Sequence, residues 1–224
     1  MDLTNFSDSF LMAPYPILLS LVFTKAGSLW IDKLYQQKDG TGLLSFSDQI
    51  ADRAKYRKAL LFLLLLFSIR KAWISIHGPA LLYIIIAIAF LSFITVTDWE
   101  QYVIFDCMLL PFSLIGLCYT LHMQQSITEH LAAGLSGGLL FLLLTLLTKG
   151  AIGGGDIKLI VTLGLWLGVR PLANVVIYGF LAGGIAAFFL LITKQKSRND
   201  FFAYGPYFAL SGIGIMLRWV NYLF

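Results

Sequence analysis

Charge is scarce in this chain. Only 12% of its 224 residues are Asp, Glu, Lys or Arg, against roughly 25% in an ordinary soluble domain. A soluble core of this size needs a wider polar surface than that supplies. Cysteine is scarce too: Cys107 and Cys118 are the only two. They make no C-x-x-C pair and no zinc-ligand spacing, and each lies in or beside an apolar stretch. Both therefore read as small packing residues, and no metal is expected. The three histidines, His77, His122 and His130, are scattered near the ends of apolar segments and form no cluster. No phosphate-binding G-x-x-x-x-G-K-[ST] run occurs, and no internal repeat or low-complexity segment stands out. The formal charge of +4 and the pI near 9.0 do not argue for nucleic acid in so apolar a chain. Basic residues serve better to hold membrane-protein loops in the cytoplasm.

What the chain has instead is long apolar blocks. Hydrophobic residues make up 58% of it, and the mean hydropathy is +0.82. Eight apolar segments lie near residues 10–31, 59–76, 79–97, 106–122, 130–148, 157–169, 172–193 and 204–223. They do not alternate apolar with polar residues, which excludes a β-barrel and leaves helices as the spanning element. The expected fold is all-α: a polytopic helical membrane protein of about eight spans, forming one domain over residues 1–224. The second segment is interrupted by Arg70 and Lys71, and the sixth is short, so six or seven spans are also compatible with the pattern. The start of the chain lacks a basic region and carries Asp2 and Asp8, so its apolar run reads as a permanent span rather than a cleaved signal. One soluble-looking stretch, about 32–58, is expected to be a cytoplasmic loop.

With eight spans the loops alternate between the two sides. One side receives Lys33, Lys38, Arg53, Lys55, Arg57, Lys58, Lys149, Lys158, Lys194, Lys196 and Arg198, and the other Arg70, Lys71, Arg170 and Arg218. The richer side is expected to face the cytoplasm, with both chain ends on the opposite side.

Acids at membrane depth are costly, which makes each a candidate functional site. Outside loops and termini there are five: Asp98, Glu100, Asp106, Glu129 and Asp156. The topology puts Asp98 at the end of the third span and Asp156 at the start of the sixth, both at the cytoplasmic level. If they meet, they cannot both ionise easily, and one keeps a proton. The ionised partner can then draw a proton from water while the protonated one polarises a carbonyl. That chemistry hydrolyses a peptide bond without metal or covalent nucleophile. Glu100, two residues on, lies about 200° round a helix from Asp98 and is expected to face elsewhere.

Gly150, Gly153, Gly154 and Gly155 crowd the approach to Asp156. Bare backbone of this kind can admit an extended peptide. It also suits an ordinary loop with Asp156 as a helix N-cap.

Gly153-Gly154-Gly155-Asp156 resembles the G-x-G-D signature of intramembrane aspartyl proteases. The longer run Gly155-Asp156-Ile157-Lys158-Leu159, with Gly164 and Gly168, resembles the type IV prepilin peptidase branch. Two further segments agree: Asp98 followed eight residues later by Asp106, with Phe105 where the family carries proline, and Tyr204-Gly205-Pro206-Tyr207-Phe208-Ala209-Leu210. The resemblance covers about residues 79–224 and implies that Asp98 and Asp156 are the catalytic pair. It implies supporting places for Gly153, Gly155, Lys158, Asp106, Gly205 and Pro206. Asp106 reads as an N-cap of the fourth span or a support for the site. Lys158 reads as an interfacial anchor or a charge tuning Asp156. Gly205-Pro206 is expected to break or bend the start of the last span.

By the same resemblance the substrates are prepilins or pseudopilins, with a basic leader cut off after a glycine at the cytoplasmic face of the bacterial inner membrane. The filament would be a type IV pilus or a type II secretion pseudopilus. The family's cysteine-containing loop, which goes with N-methylation, has no counterpart between residues 32 and 58. No zinc and no S-adenosylmethionine are therefore expected. A proton- or ion-coupled transporter and a non-enzymatic assembly factor are the rival readings. The first wants acids near the midplane and repeated halves; the second fits poorly with two intact acids.

Overall fold

The computed structural model describes residues 14–39, 54–148, 150, 152–194 and 202–223. Among these there are eight helices and no strand: α1 (Pro14–Asp39), α2 (Arg57–Ser75), α3 (Ala80–Gln101), α4 (Asp106–His122), α5 (Ile127–Leu147), α6 (Gly154–Leu167), α7 (Val169–Ile192) and α8 (Gly205–Leu223). The eight apolar segments become these eight helices in order. Three of them, α3, α5 and α7, are long and apolar enough to cross a membrane by length and composition. The fold is that of a helical membrane protein. α1 runs on to Asp39, so the first residues of the polar stretch are helix. Arg70 and Lys71 do not interrupt α2, which carries both on its exposed side. The first residues of the expected first span and the middle of the 32–58 loop lie outside the described residues, as do Lys149, Lys196 and Arg198.

Burial sorts the helices into an inner and an outer set. In α3 72% of the apolar window is buried, against 28% in α5 and 17% in α7. α3 packs on α1, α2, α4 and α8; α6 packs on α4, α5, α7 and α8. The outer faces of α5 and α7 present Leu135, Leu139, Leu146, Ile177, Leu181 and Phe188 outward, as lipid contact requires. Cys107 and Cys118, read as small packing residues, lie on an exposed face of α4.

Small residues let the inner helices close up. Gly134, Gly137 and Gly138 of α5 lie against Val161, Leu165 and Ile160 of α6, and Gly164 sits against the backbone of Gly134. With little hydrophobic driving force between helices in lipid, such backbone contact supplies the packing energy. An aromatic column ties α3, α4 and α6. Phe90 stacks on Phe112 and Phe112 on Trp166, with centroids 5.8 and 5.2 Å apart. Trp166 Nε1 donates to the Phe112 carbonyl at 2.8 Å.

The inner helix α6 is short, with 14 residues. At its end Gly168 takes φ +74° and passes straight into α7. Around this end, away from Asp156, lies a cavity of about 430 Å³ lined by residues that include Gln125, Glu129, His130, Trp166, Arg170 and Pro171.

Candidate active site

Three helix ends carry the residues that the glycine and aspartate pattern singled out. Asp98 lies in the last turn of α3, Asp156 in the first turn of α6, and Gly205 is the first residue of α8. Both acids are buried, at 6% and 8% exposure. They stand near enough for their charges to interact. The backbone amide of Gly205 faces the Asp98 carboxylate, and that of Gly153 faces the Asp156 carboxylate. Two helix N-termini therefore point at the pair, and such ends favour negative charge. Asp98 Oδ2 and Asp156 Oδ1 are each buried and accept no hydrogen bond from the described residues. Buried carboxylate oxygens rarely stay unpaired, and these two keep acceptor capacity to spare.

Asp156 is not the N-cap; Gly153 is, with extended backbone, and its carbonyl accepts from the amides of Asp156 at 3.1 Å and Ile157 at 3.4 Å. Within the glycine run only Gly150 needs a positive φ, +91°. Gly155 and Gly205 are bare for a different reason. A Cβ on Gly205 would stand 2.6 Å from Asp98 Oδ2 and 3.1 Å from Ile104 Cδ1; one on Gly155 would stand 3.0 Å from Ile104 Cβ. Ile104, in the link between α3 and α4, thus lies against both glycines beside Asp98. A Cβ on Gly153 would meet Asp156 Oδ2 at 3.3 Å, whereas one on Gly154 meets nothing within 4 Å.

The outer acids have other partners. Asp106 is the first residue of α4, not its N-cap, which is Phe105. Its carboxylate accepts from Lys158 Nζ at 2.7 and 2.9 Å on an exposed surface, which joins the starts of α4 and α6. Pro206 is the second residue of α8, where a missing amide hydrogen costs nothing, so the helix starts there rather than bending. His130 is buried and bonds Thr120 Oγ1 and the Leu165 carbonyl, and His122 bonds Tyr83.

A second buried charge cluster lies behind Asp98, and the sequence pattern did not reveal it. Glu100 has 0% exposure and is held by Arg57 and Tyr35. Arg57 had counted among the basic residues of the first loop; it is 6% exposed, at the start of α2. An arginine and a glutamate at the edges of two apolar runs were the only available signal.

The comparisons with known proteins fall on the same segments. Residues 85–188 match the type IV leader peptidase family. This stretch of the chain belongs to that family. A relative called prepilin leader peptidase/N-methyltransferase from Neisseria gonorrhoeae is 32% identical over 159 residues, covering 68% of this chain and 52% of the relative. Proteins of the same name from Pectobacterium carotovorum subsp. carotovorum and Dickeya chrysanthemi are 29% and 31% identical, over 64% and 63% of this chain and 54% and 52% of their own lengths. The chain spans about half the length of these curated relatives. No solved structure matches. The leader peptidase segment takes in both acids and the α3–α7 core that carries them.

Proposed function

We propose that the chain is an aspartyl endopeptidase that removes the leader from type IV prepilins or pseudopilins, with Asp98 and Asp156 activating water. The observation that carries this reading is the convergence of two buried acids from different helices, each with an unpartnered carboxylate oxygen. Two carboxylates sharing such a site hold one proton between them. The ionised oxygen takes a proton from the attacking water; the protonated carboxyl donates to the scissile carbonyl oxygen as it becomes tetrahedral. As that intermediate collapses and the C–N bond breaks, the carboxyl that took the water proton passes it to the leaving amine, and the diol hydroxyl returns its proton to the other carboxylate, which restores the pair. The amides of Gly153 and Gly205 face the two carboxylates, and charges met by pre-set dipoles lower the reorganisation in the barrier.

The site is proposed to open to the cytoplasm, where the excess of basic residues puts the starts of α6 and α8, in the bacterial inner membrane. Eight spans, no zinc and no S-adenosylmethionine complete the proposal, since the 32–58 stretch has no cysteine. Among the described acids, Glu100 and Asp106 are occupied by Arg57 and Lys158, and Glu129 lines the cavity at the far end of α6.

The test is leader removal by purified protein in detergent, read on a gel. Asp98→Asn and Asp156→Asn should each abolish cleavage while the protein stays inserted and monodisperse. Near-normal cleavage by either would end the assignment.

A further inference from the structure

We infer that the buried Arg57–Glu100 pair is a positioning device for Asp98, fastening the last turn of α3 from the side opposite the acid. The inference rests on the reading of Asp98 as a catalytic residue.

Arg57 Nε donates to Glu100 Oε1 at 2.8 Å and to Oε2 at 3.0 Å, and its Nη2 reaches Oε2 at 2.8 Å. Tyr35 Oη donates to Oε2 at 3.0 Å, and the guanidinium lies 5.2 Å from the Tyr35 ring centroid. Arg57 Nη1 also holds Asp32, which is half exposed. One node therefore joins the end of α1, the start of α2 and the end of α3.

Packing alone does not call for such a node. Buried ion pairs are often no more stabilising than apolar side chains of the same volume. What they supply is a fixed geometry, because a fork on a carboxylate has one good orientation. The need for that geometry lies in the place. α3 ends within four residues of Asp98: Tyr102 turns left-handed at φ 56°, with its amide on the Asp98 carbonyl. Helix ends fray, and this end carries a reacting group. Glu100 stands about 200° round the helix from Asp98. Gly205 approaches α3 on the Asp98 side, and the Arg57 node grips the other. Rotation of α3 and loosening of its last turn are both blocked.

The test uses Glu100→Gln, Arg57→Lys and Tyr35→Phe in the full chain, purified in detergent, with steady-state cleavage of a leader-bearing substrate. Glu100→Gln should lower kcat by about tenfold to a hundredfold, the scale of an ångström misplacement. KM should stay within about twofold, because the node touches no substrate. Arg57→Lys keeps the charge without the fork and should fall between Glu100→Gln and wild type. Tyr35→Phe should give the smallest loss, and it keeps the test alive if Glu100→Gln does not fold. Arg57→Gln added to Glu100→Gln should cost little more, since both act through one link. A structural role alone would lower the yield or the thermal midpoint and leave kcat per folded molecule unchanged; that result, or a change in KM alone, overturns the inference. Asp98→Asn and Asp156→Asn run alongside. Activity in those two would sink the functional reading itself, whereas silence there with full activity in Glu100→Gln sinks only the positioning role.

Discussion

Gly205→Ala is the sharpest probe of the site, because one methyl group is its whole perturbation. The added Cβ would lie 2.6 Å from Asp98 Oδ2, 2.9 Å from Asp98 Cγ and 3.1 Å from Ile104 Cδ1. These separations fall short of ordinary contact, near 3.5 Å, by about 0.5–1 Å. The backbone of α8 cannot retreat cheaply, since it packs on α3, α6 and α7. The carboxylate must swing away from its place beside Asp156. A shift of that size costs catalysis about 100-fold, while overpacking costs stability about 1–3 kcal/mol. Gly154→Ala is the internal control. Its Cβ meets nothing within 4 Å, and in the first turn of a helix alanine is the better residue. The ranking of loss should be Gly205, then Gly155 against Ile104, then Gly153 against Asp156 Oδ2, then Gly154 unaffected. The assay is kcat/KM for leader removal on monodisperse protein, with the thermal midpoint recorded for each variant. Gly205→Ala within about threefold of wild type, or Gly154→Ala as damaged as Gly205→Ala, would refute the reasoning.

Other outcomes follow from the same packing. Arg57→Ala leaves Glu100 fully buried without its counter-ion, with the Tyr35 hydroxyl still on it, and thermal unfolding in detergent should show a loss of about 3–5 kcal/mol. Lys158→Ala breaks only an exposed pair, so stability should change by less than about 1 kcal/mol, with cleavage close to wild type. Gly164→Ala drives a methyl to 2.5 Å from the Gly134 amide nitrogen; backbone cannot yield as a side chain does, so a sharp drop in folded yield is expected. Arg170→Cys and Lys194→Cys, on a background without Cys107 and Cys118, should react with an impermeant thiol reagent from opposite sides of the membrane. Labelling of Lys194→Cys from outside intact cells would invert the proposed orientation.

The eight helices were legible because apolar block length is a strong signal and each block is bounded by charge or glycine. The acids were legible because a carboxylate at membrane depth is costly wherever it stands. What could not be read was the direction of each side chain around its helix. Glu100 faces away from Asp98, as the 200° step implies, but nothing in the spacing showed that Arg57, 43 residues earlier, would be its partner. The glycine run could be read as room for a substrate or as an ordinary helix-end loop; at Gly155 the neighbour is Ile104. A bare backbone announces close approach without saying what approaches. Cys107 and Cys118 read as packing residues and stand on the exposed face of α4: in a membrane protein that face is as apolar as the core, so burial does not follow from hydrophobic surroundings.

The shortness of α6 has a consequence for how the molecule meets the bilayer. Its 14 residues reach about 21 Å, while the hydrocarbon layer is about 30 Å thick. α5 and α7, with 21 and 24 residues, are long enough and stand on the outside. On the α5–α7 face lipid therefore meets full-length neighbours and need not thin. The missing length is absorbed within the protein, at the far end of α6, as the recess lined by Gln125, Glu129 and Arg170. Hydrophobic mismatch at α6 is an internal affair: α5 and α7 match the membrane on its outer side, and the inner helix is free to end wherever its acid has to stand.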